Sequence, residues 1–183
     1  MPGLVIHMLP PELSNDLCSL NAGVDRLAMS CVMHIQKTGR LAKYEIFPSV
    51  IRVRQRLCYE KANLFYAKGT EGTEGTEYQE FASLLRELQA MMLARLAFRR
   101  RRGSIDFDFP ETKVVLDESS GKVLELRRRE QGTAEKVIEE AMICANEAVA
   151  TEYHRRQIPF IYRVHLGPSG DKLTALNLSL IHI

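Results

Sequence analysis

Apolar and polar residues alternate along residues 24–36, and this alternation is the clearest short-range pattern in the chain. The apolar positions are Leu27, Met29, Cys31, Met33 and Ile35. A period of two predicts a β-strand with one buried face. The sequence KTGR then supplies a turn, so Leu41 to Phe47 is expected to form the second arm of an antiparallel hairpin. Pro48 lacks an amide hydrogen and is expected to weaken the ladder there.

Two longer segments have the three- and four-residue spacing of amphipathic helices. The first begins at Tyr78 and ends in four arginines and Gly103, which places cations at the C-terminal end of the helix dipole and a glycine at its stop. The second begins after Thr133, the expected N-cap, and carries an apolar stripe rich in alanine and valine. Between them, TKVVLDESSGKVLELRRRE predicts a second hairpin, and IPFIYRVH later predicts a short closing strand.

The order of these elements predicts an α+β (mixed α/β) fold, with an antiparallel-rich sheet and two long amphipathic helices. A regular alternation of strand and helix is absent from the pattern. The repeated GTE triplet at 69–77 offers no apolar face and predicts a solvated loop.

Composition narrows the possible classes of protein. With 183 residues and 45% hydrophobic residues, one sizeable core is expected. A net charge of +2 is too small for the whole-molecule field to indicate nucleic acid or a membrane as a partner. The four cysteines are far apart and lack metal-ligand spacing, which favours reduced thiols in a cytoplasmic protein. No apolar run approaches the roughly 18 residues of a membrane span.

The spacing of polar residues alone gives only weak candidates for ligand-binding or metal-binding residues. Glu139 and Asn146 share one flank of the second helix and could bind a ligand hydroxyl, although solvated flank residues are the commoner explanation. Asp106 and Asp108 fall on one face of an extended segment and could hold magnesium, although two acids on a wet strand face are more common. Phe107 lies between them and is either a core residue or a platform on which a base stacks.

Basic runs at 99–102, 127–129 and 154–156 would suit a phosphate backbone, with Tyr59, Tyr162 or Phe107 as stacking partners. Charge runs at the ends of elements are more often solvated ends that complement the helix dipole. The five histidines show no metal-ligand spacing, and no nucleophile motif or glycine-rich phosphate loop is present. Residue chemistry alone therefore leaves the function open.

Three separated motifs occur in order along the chain: MLPPELSNDLCSLNAGVDRLAMS, RLCYEKA and VIEEAMICANEAVA. Together they resemble the catalytic RNB domain of the ribonuclease II / ribonuclease R family, with details closer to ribonuclease R. The resemblance covers residues 2 to about 176. It implies a mixed α/β fold and a magnesium-dependent, processive 3′-to-5′ exoribonuclease that degrades RNA to nucleoside 5′-monophosphates in the cytoplasm.

The resemblance also assigns roles to three residues. Tyr59 stands where the family has a tyrosine that contacts RNA near its 3′ end. Glu139 stands where an acid helps to recognise the ribose, and Phe107 where an aromatic ring stacks on a base. The expected partner is therefore the 3′ end of single-stranded RNA rather than DNA or a membrane, since the 2′-hydroxyl distinguishes RNA from DNA.

The family's metal-binding aspartates lie upstream of MLP, and its completing arginine and glutamate lie downstream of this sequence. The resemblance thus predicts that residues 1–177 are a partial RNB catalytic domain without catalytic or magnesium-ligating residues, and that residues 178–183 are a non-native tail. Two alternatives to an exoribonuclease fragment follow. The chain is a non-catalytic module that binds single-stranded RNA, or it is an inactive truncated product with exposed apolar surface.

Overall fold

A computed structural model describes residues 6–69, 78–105, 111–117, 121–129 and 131–181. The elements in chain order are a π-helical turn Glu12–Leu17, β1 Asp25–Ile35, β2 Leu41–Arg52, α1 Tyr59–Lys68, α2 Ala82–Arg101, β3 Glu111–Leu116, β4 Val123–Arg129, α3 Thr133–Arg155 and α4 Gly170–Ile181. This arrangement confirms the predicted mixed α+β fold with two long helices. The chain divides into two compact units, residues 1–148 and 149–183.

Strands β1 and β2 pair antiparallel from Asp25 opposite Arg52 to Ile35 opposite Leu41, which confirms the predicted hairpin. Gly39 has φ 81° in the connecting turn, a conformation that glycine adopts without strain. The second arm is longer than predicted, because β2 continues past Pro48 to Arg52. A two-stranded sheet has only edge strands, and edge strands tolerate proline.

The prediction of one well-buried face on β1 is wrong for the half that is distant from the turn. Leu27 and Met29 are 83% and 65% exposed, and Val50, which pairs with Leu27, is 64% exposed. The turn itself is packed on α2, since a Cβ on Gly39 would lie 2.1 Å from the carbonyl oxygen of Ala94. Alternation predicts which side chains share a face, but burial of that face depends on what packs over it.

Helix α2 confirms the first amphipathic segment, although it begins at Ala82 rather than Tyr78. Two backbone hydrogen bonds close its C-terminus: the Gly103 amide donates to Arg100 O (3.0 Å), and the Ser104 amide donates to Arg99 O (3.1 Å). Gly103 has φ 88°, as expected for a glycine that ends a helix. The second hairpin is also confirmed, as β3 paired with β4.

Helix α1 was not predicted from the sequence, yet it supplies part of the core. The core cluster combines alanine, leucine and aromatic side chains from α1, from α2 and the turn before it, and from the start of α3. Its buried members are Ala62, Phe65, Tyr78, Ala82, Leu85 and Ala134.

Asn63 of α1 fixes the start of α3. The amide of Ala134 donates to Asn63 Oδ1 (2.8 Å), and Asn63 Nδ2 donates to Glu135 Oε2 (2.8 Å). Helix α3 begins at Thr133, one residue earlier than predicted, because Thr133 was expected to be the N-cap that precedes the helix. Gly132 allows this close approach, because a Cβ at that position would lie 2.3 Å from Asn63 Oδ1.

In the second unit, the predicted closing strand is wrong: residues 158–169 form no strand. An extended segment becomes a strand only where a partner completes its ladder, and alternation does not supply one. The rings of Tyr153 and Phe160 lie 4.6 Å apart between centroids, and those of Phe160 and Tyr162 lie 5.2 Å apart. Helix α4 includes residues 178–181, and their assignment as a non-native tail stays a prediction.

Candidate functional site

A groove of about 470 Å³ is lined by α1, the start of α3 and the first two turns of α2. Most of its lining is aliphatic. The polar groups are the phenols of Tyr59 and Tyr66, the thiol of Cys58 and the opposite charges of Arg56 and Glu60. Its lining residues are Arg56, Leu57, Cys58, Tyr59, Glu60, Ala62, Tyr66, Leu85, Leu88, Ala134, Val137 and Ile138. The Tyr66 phenol is protonated at neutral pH, as tyrosines ordinarily are, and burial raises its pKa further. Such a groove suits a flat apolar group with a few polar substituents.

Tyr59 lies in this groove as the first residue of α1, with 41% of its surface exposed. The preceding residue, Cys58, is held by the buried side chain of Tyr78. The Cys58 amide donates to Tyr78 Oη (2.9 Å), and that hydroxyl donates back to Cys58 O (3.2 Å). Tyr78 is only 1% exposed, so a rigid core residue fixes the backbone that presents Tyr59. Sequence reasoning placed Tyr78 at the start of an amphipathic helix and missed this role.

Glu139 lies on α3 beside the groove rather than in its lining. Its neighbour Ile138 lines the groove, and successive helix residues are about 100° apart around the axis. Glu139 and Asn146 are both exposed, on one flank of the helix as their spacing predicted. The structure therefore places Tyr59 in the groove and Glu139 on an adjacent exposed surface of α3.

Phe107, Asp106 and Asp108 lie outside the described residues. The stacking role of Phe107 and the alternative magnesium role of the two aspartates therefore stay predictions.

A buried ionic cluster joins α2 to α3 and was not predicted. Arg95 and Glu140 are each 1% exposed. Arg95 Nη2 donates to Glu147 Oε2 (2.9 Å) and Arg95 Nη1 to Gly39 O (3.0 Å), while Arg99 Nη1 bonds Glu140 Oε1. The sequence did hold a signal, since Arg95 follows Met92 by three residues and Glu140 follows Val137 by three, so both charges sit on apolar stripes.

The arginine run at 99–102 is largely occupied by contacts within the chain. Besides Arg99, Arg102 Nη1 donates to Glu147 Oε1 (3.2 Å), and Arg101 Nη2 donates to Thr38 O (2.9 Å). Arg100 also has a partner. These guanidinium groups hold α2 to the hairpin and to α3, which weakens the hypothesis that this run binds phosphates.

The thiols differ in exposure. Cys18 and Cys58 are exposed, Cys31 is partly buried and Cys144 is fully buried. Burial raises the pKa of both Cys31 and Cys144, which keeps these two thiols protonated and poorly nucleophilic.

Within the described ranges, no group of three or more His, Cys, Asp or Glu side chains could hold a metal ion. None of the helices in that part of the chain is long and apolar enough to cross a membrane.

The sequence is similar to one protein family and to several known proteins. The RNB domain matches residues 1–182. Ribonuclease R 1 of Lactococcus lactis is 41% identical over 171 residues, which cover 92% of this chain and 20% of that protein. Ribonuclease R of Thermotoga maritima is 42% identical over 172 residues, covering 94% of this chain and 24% of that protein. The chain thus spans about a fifth to a quarter of these relatives.

Solved structures agree. RNase R of Mycoplasma genitalium in complex with ribose methylated single-stranded RNA matches with a TM-score of 0.90 and 31% identity, over 100% of this chain and 28% of that one. The same protein in complex with double-stranded RNA also gives a TM-score of 0.90, with 30% identity, over 100% of this chain and 32% of that one.

Proposed function

The chain belongs to the RNB domain family, and from this membership we propose that it is part of a ribonuclease R-like 3′-to-5′ exoribonuclease that acts on single-stranded RNA. Identities of about 40% to ribonucleases R over more than nine-tenths of the chain support the proposal. The likeness to an RNase R bound to RNA also supports it. The proposal includes processive, magnesium-dependent release of nucleoside 5′-monophosphates in the cytoplasm.

Magnesium would lower the pKa of an attacking water and stabilise charge on the phosphate. The described residues do not fit such a metal, because they contain no group of three candidate ligands. Following what the family resemblance implies, we assign the metal ligands, and the arginine and glutamate that complete the site, to the parts of the relatives that this chain does not span. Asp106 and Asp108, outside the described residues, keep only their alternative magnesium role. The residues of this chain are assigned to RNA binding.

The observation that carries the proposal is the presentation of Tyr59 at the groove by the buried Tyr78. An exposed phenol ring beside an aliphatic wall can stack on a nucleobase, which contributes about 1–3 kcal/mol per base. The Glu139 carboxylate, on the exposed surface next to Ile138, can accept a hydrogen bond from a ribose 2′-hydroxyl. Phe107 is assigned to stacking on a second base.

Fluorescence anisotropy of a labelled single-stranded RNA tests this assignment. Wild-type binding is expected to weaken with salt, because phosphate contacts release counterions. Tyr59→Ala is expected to weaken binding by about tenfold, from the loss of one stacked base. Phe47→Ala is the matched control, since Phe47 is 39% exposed but lies on the β1–β2 hairpin. Equal effects of the two substitutions would contradict the assignment of Tyr59.

The same sample separates the enzyme proposal from its alternatives when it is incubated with magnesium. We expect RNA binding without release of mononucleotides by residues 1–183 alone. Release that stops on metal chelation would show that the metal ligands lie within these residues. Failure to bind RNA at low salt would remove the RNA-binding role and leave an inactive product.

A further inference from the structure

Helices α2 and α3 are joined by a ladder of charges that runs along both axes. The α3 carboxylates, Glu140 and Glu147, are seven residues apart and so lie about two turns apart on one face. They face three arginines, two in α2 (Arg95 and Arg99) and one at its C-cap (Arg102). Arg99 bonds Glu140, Arg102 Nη1 lies 3.2 Å from Glu147 Oε1, and the fully buried Arg95 lies between the two carboxylates.

The ladder contains a contact that is poor as a source of stability. Arg95 Nε and Glu140 Oε2 are 4.0 Å apart, and both atoms are buried without a hydrogen-bond partner. Buried ion pairs repay their desolvation only when geometry and hydrogen bonding are good. This pair is therefore better explained by the orientation it imposes than by stability it adds.

Orientation of α3 needs such a device, because its apolar stripe is mostly small. Ala134, Ala141, Ala145 and Ala148 supply much of the stripe. Methyl groups interlock weakly, and apolar contact is non-directional. Charge-assisted bonds are directional, so two of them at two-turn spacing oppose rotation of the helix about its axis.

This rotation decides where Glu139 points. Glu139 immediately precedes the buried Glu140, and the two side chains are about 100° apart around the axis. Asn146 stands in the same relation to Glu147. We propose that Glu140 and Arg95 are positioning residues for Glu139: by locking the rotation of α3, they hold the Glu139 carboxylate where it meets the ribose of bound RNA. The proposal rests on the assignment of Glu139 under the proposed function.

Ribose discrimination is the property to measure, because general destabilisation does not change it selectively. Anisotropy gives the Kd of a labelled single-stranded RNA and of the same base sequence carrying 2′-deoxyribose throughout. The quantity compared is the Kd for the deoxyribose strand divided by the Kd for RNA, which is large when RNA is preferred. Glu139→Gln and Glu140→Gln are each expected to lower this ratio about fivefold through a lost or misplaced charged hydrogen bond. Met92→Ala is the matched control, because Met92 is 4% exposed on α2 but outside the groove and the ladder.

The outcomes separate the two proposals. A ratio that is unchanged in Glu139→Gln overturns the role of Glu139 and the positioning proposal with it. A ratio that falls in Glu139→Gln but not in Glu140→Gln overturns positioning alone. A fall in both with no change in Met92→Ala supports the proposal. If circular dichroism shows that Glu140→Gln does not fold, Glu147→Gln, whose side chain is 40% exposed, is judged by the same readings.

Discussion

Replacing Arg95 by methionine tests whether the charges between α2 and α3 form one buried network. Methionine keeps most of the aliphatic stem, so the change removes charge and donors with little loss of volume. Breaking a buried ion pair by removing one partner costs about 3–5 kcal/mol. Glu140 keeps Arg99, and Glu147 is 40% exposed, so we expect the lower end, about 3 kcal/mol.

Urea and thermal unfolding followed by circular dichroism measure this cost. For a chain of this size, about 3 kcal/mol lowers Tm by roughly 6–12 °C. Arg102→Met is the matched control, because Arg102 bonds the same Glu147 but its side chain is 59% exposed. Exposed pairs contribute about 0–1 kcal/mol, so the control is expected to unfold close to the wild type.

The comparison between the two variants decides the outcome. If Arg95→Met and Arg102→Met lower the free energy of unfolding by the same amount, within about 0.5 kcal/mol, Arg95 is not a buried partner of two carboxylates. The proposal that the ladder locks the rotation of α3 would then lose its structural basis.

Three further substitutions test the fold and the groove. Gly39→Ala is expected to lower the free energy of unfolding by about 3 kcal/mol or more, since it combines a positive φ of 81° with a Cβ 2.1 Å from the carbonyl oxygen of Ala94. A Tm within about 2 °C of wild type would contradict this. Tyr78→Phe leaves the Cys58 amide without its acceptor. It is expected to lower the free energy of unfolding by about 1–3 kcal/mol and to weaken RNA binding in the anisotropy assay. If neither the stability nor the Kd changed, Tyr78 would not support the backbone that presents Tyr59. Leu27→Thr is expected to change the free energy of urea unfolding by less than about 0.5 kcal/mol, because the side chain is 83% exposed, and a loss above 2 kcal/mol would show that the face is covered.

Local sequence patterns predicted those helices and strands whose apolar spacing and terminal residues both lie within the element itself. Helix α2 has a continuous apolar stripe and a glycine that ends it, and α3 begins at Thr133, within one residue of the predicted start. The β1–β2 hairpin has alternation on both arms and a turn that contains Gly39. The family motifs added the groove tyrosine, Tyr59, which spacing alone did not distinguish from other exposed aromatics.

The remaining features depend on neighbours that a sequence window does not contain. Residues 158–165 alternate like a strand, but no ladder forms there. Helix α1 has only ten residues, and its place in the core depends on contacts such as Asn63 with the start of α3. Arg95 and Glu140 are charged residues on apolar stripes, and only the packing of one helix on the other turns them into a buried pair.

The most direct test of the central claim is photo-crosslinking of the chain to single-stranded RNA that carries 4-thiouridine at one end. Mass spectrometry then locates the crosslinked peptide. The account predicts that a label in the 3′-terminal nucleotide crosslinks within residues 56–66, the segment that presents Tyr59 to the groove, and that a 5′-terminal label does not. Crosslinks in that segment from both ends alike, or from neither, would contradict the claim that this chain receives the 3′ end of RNA.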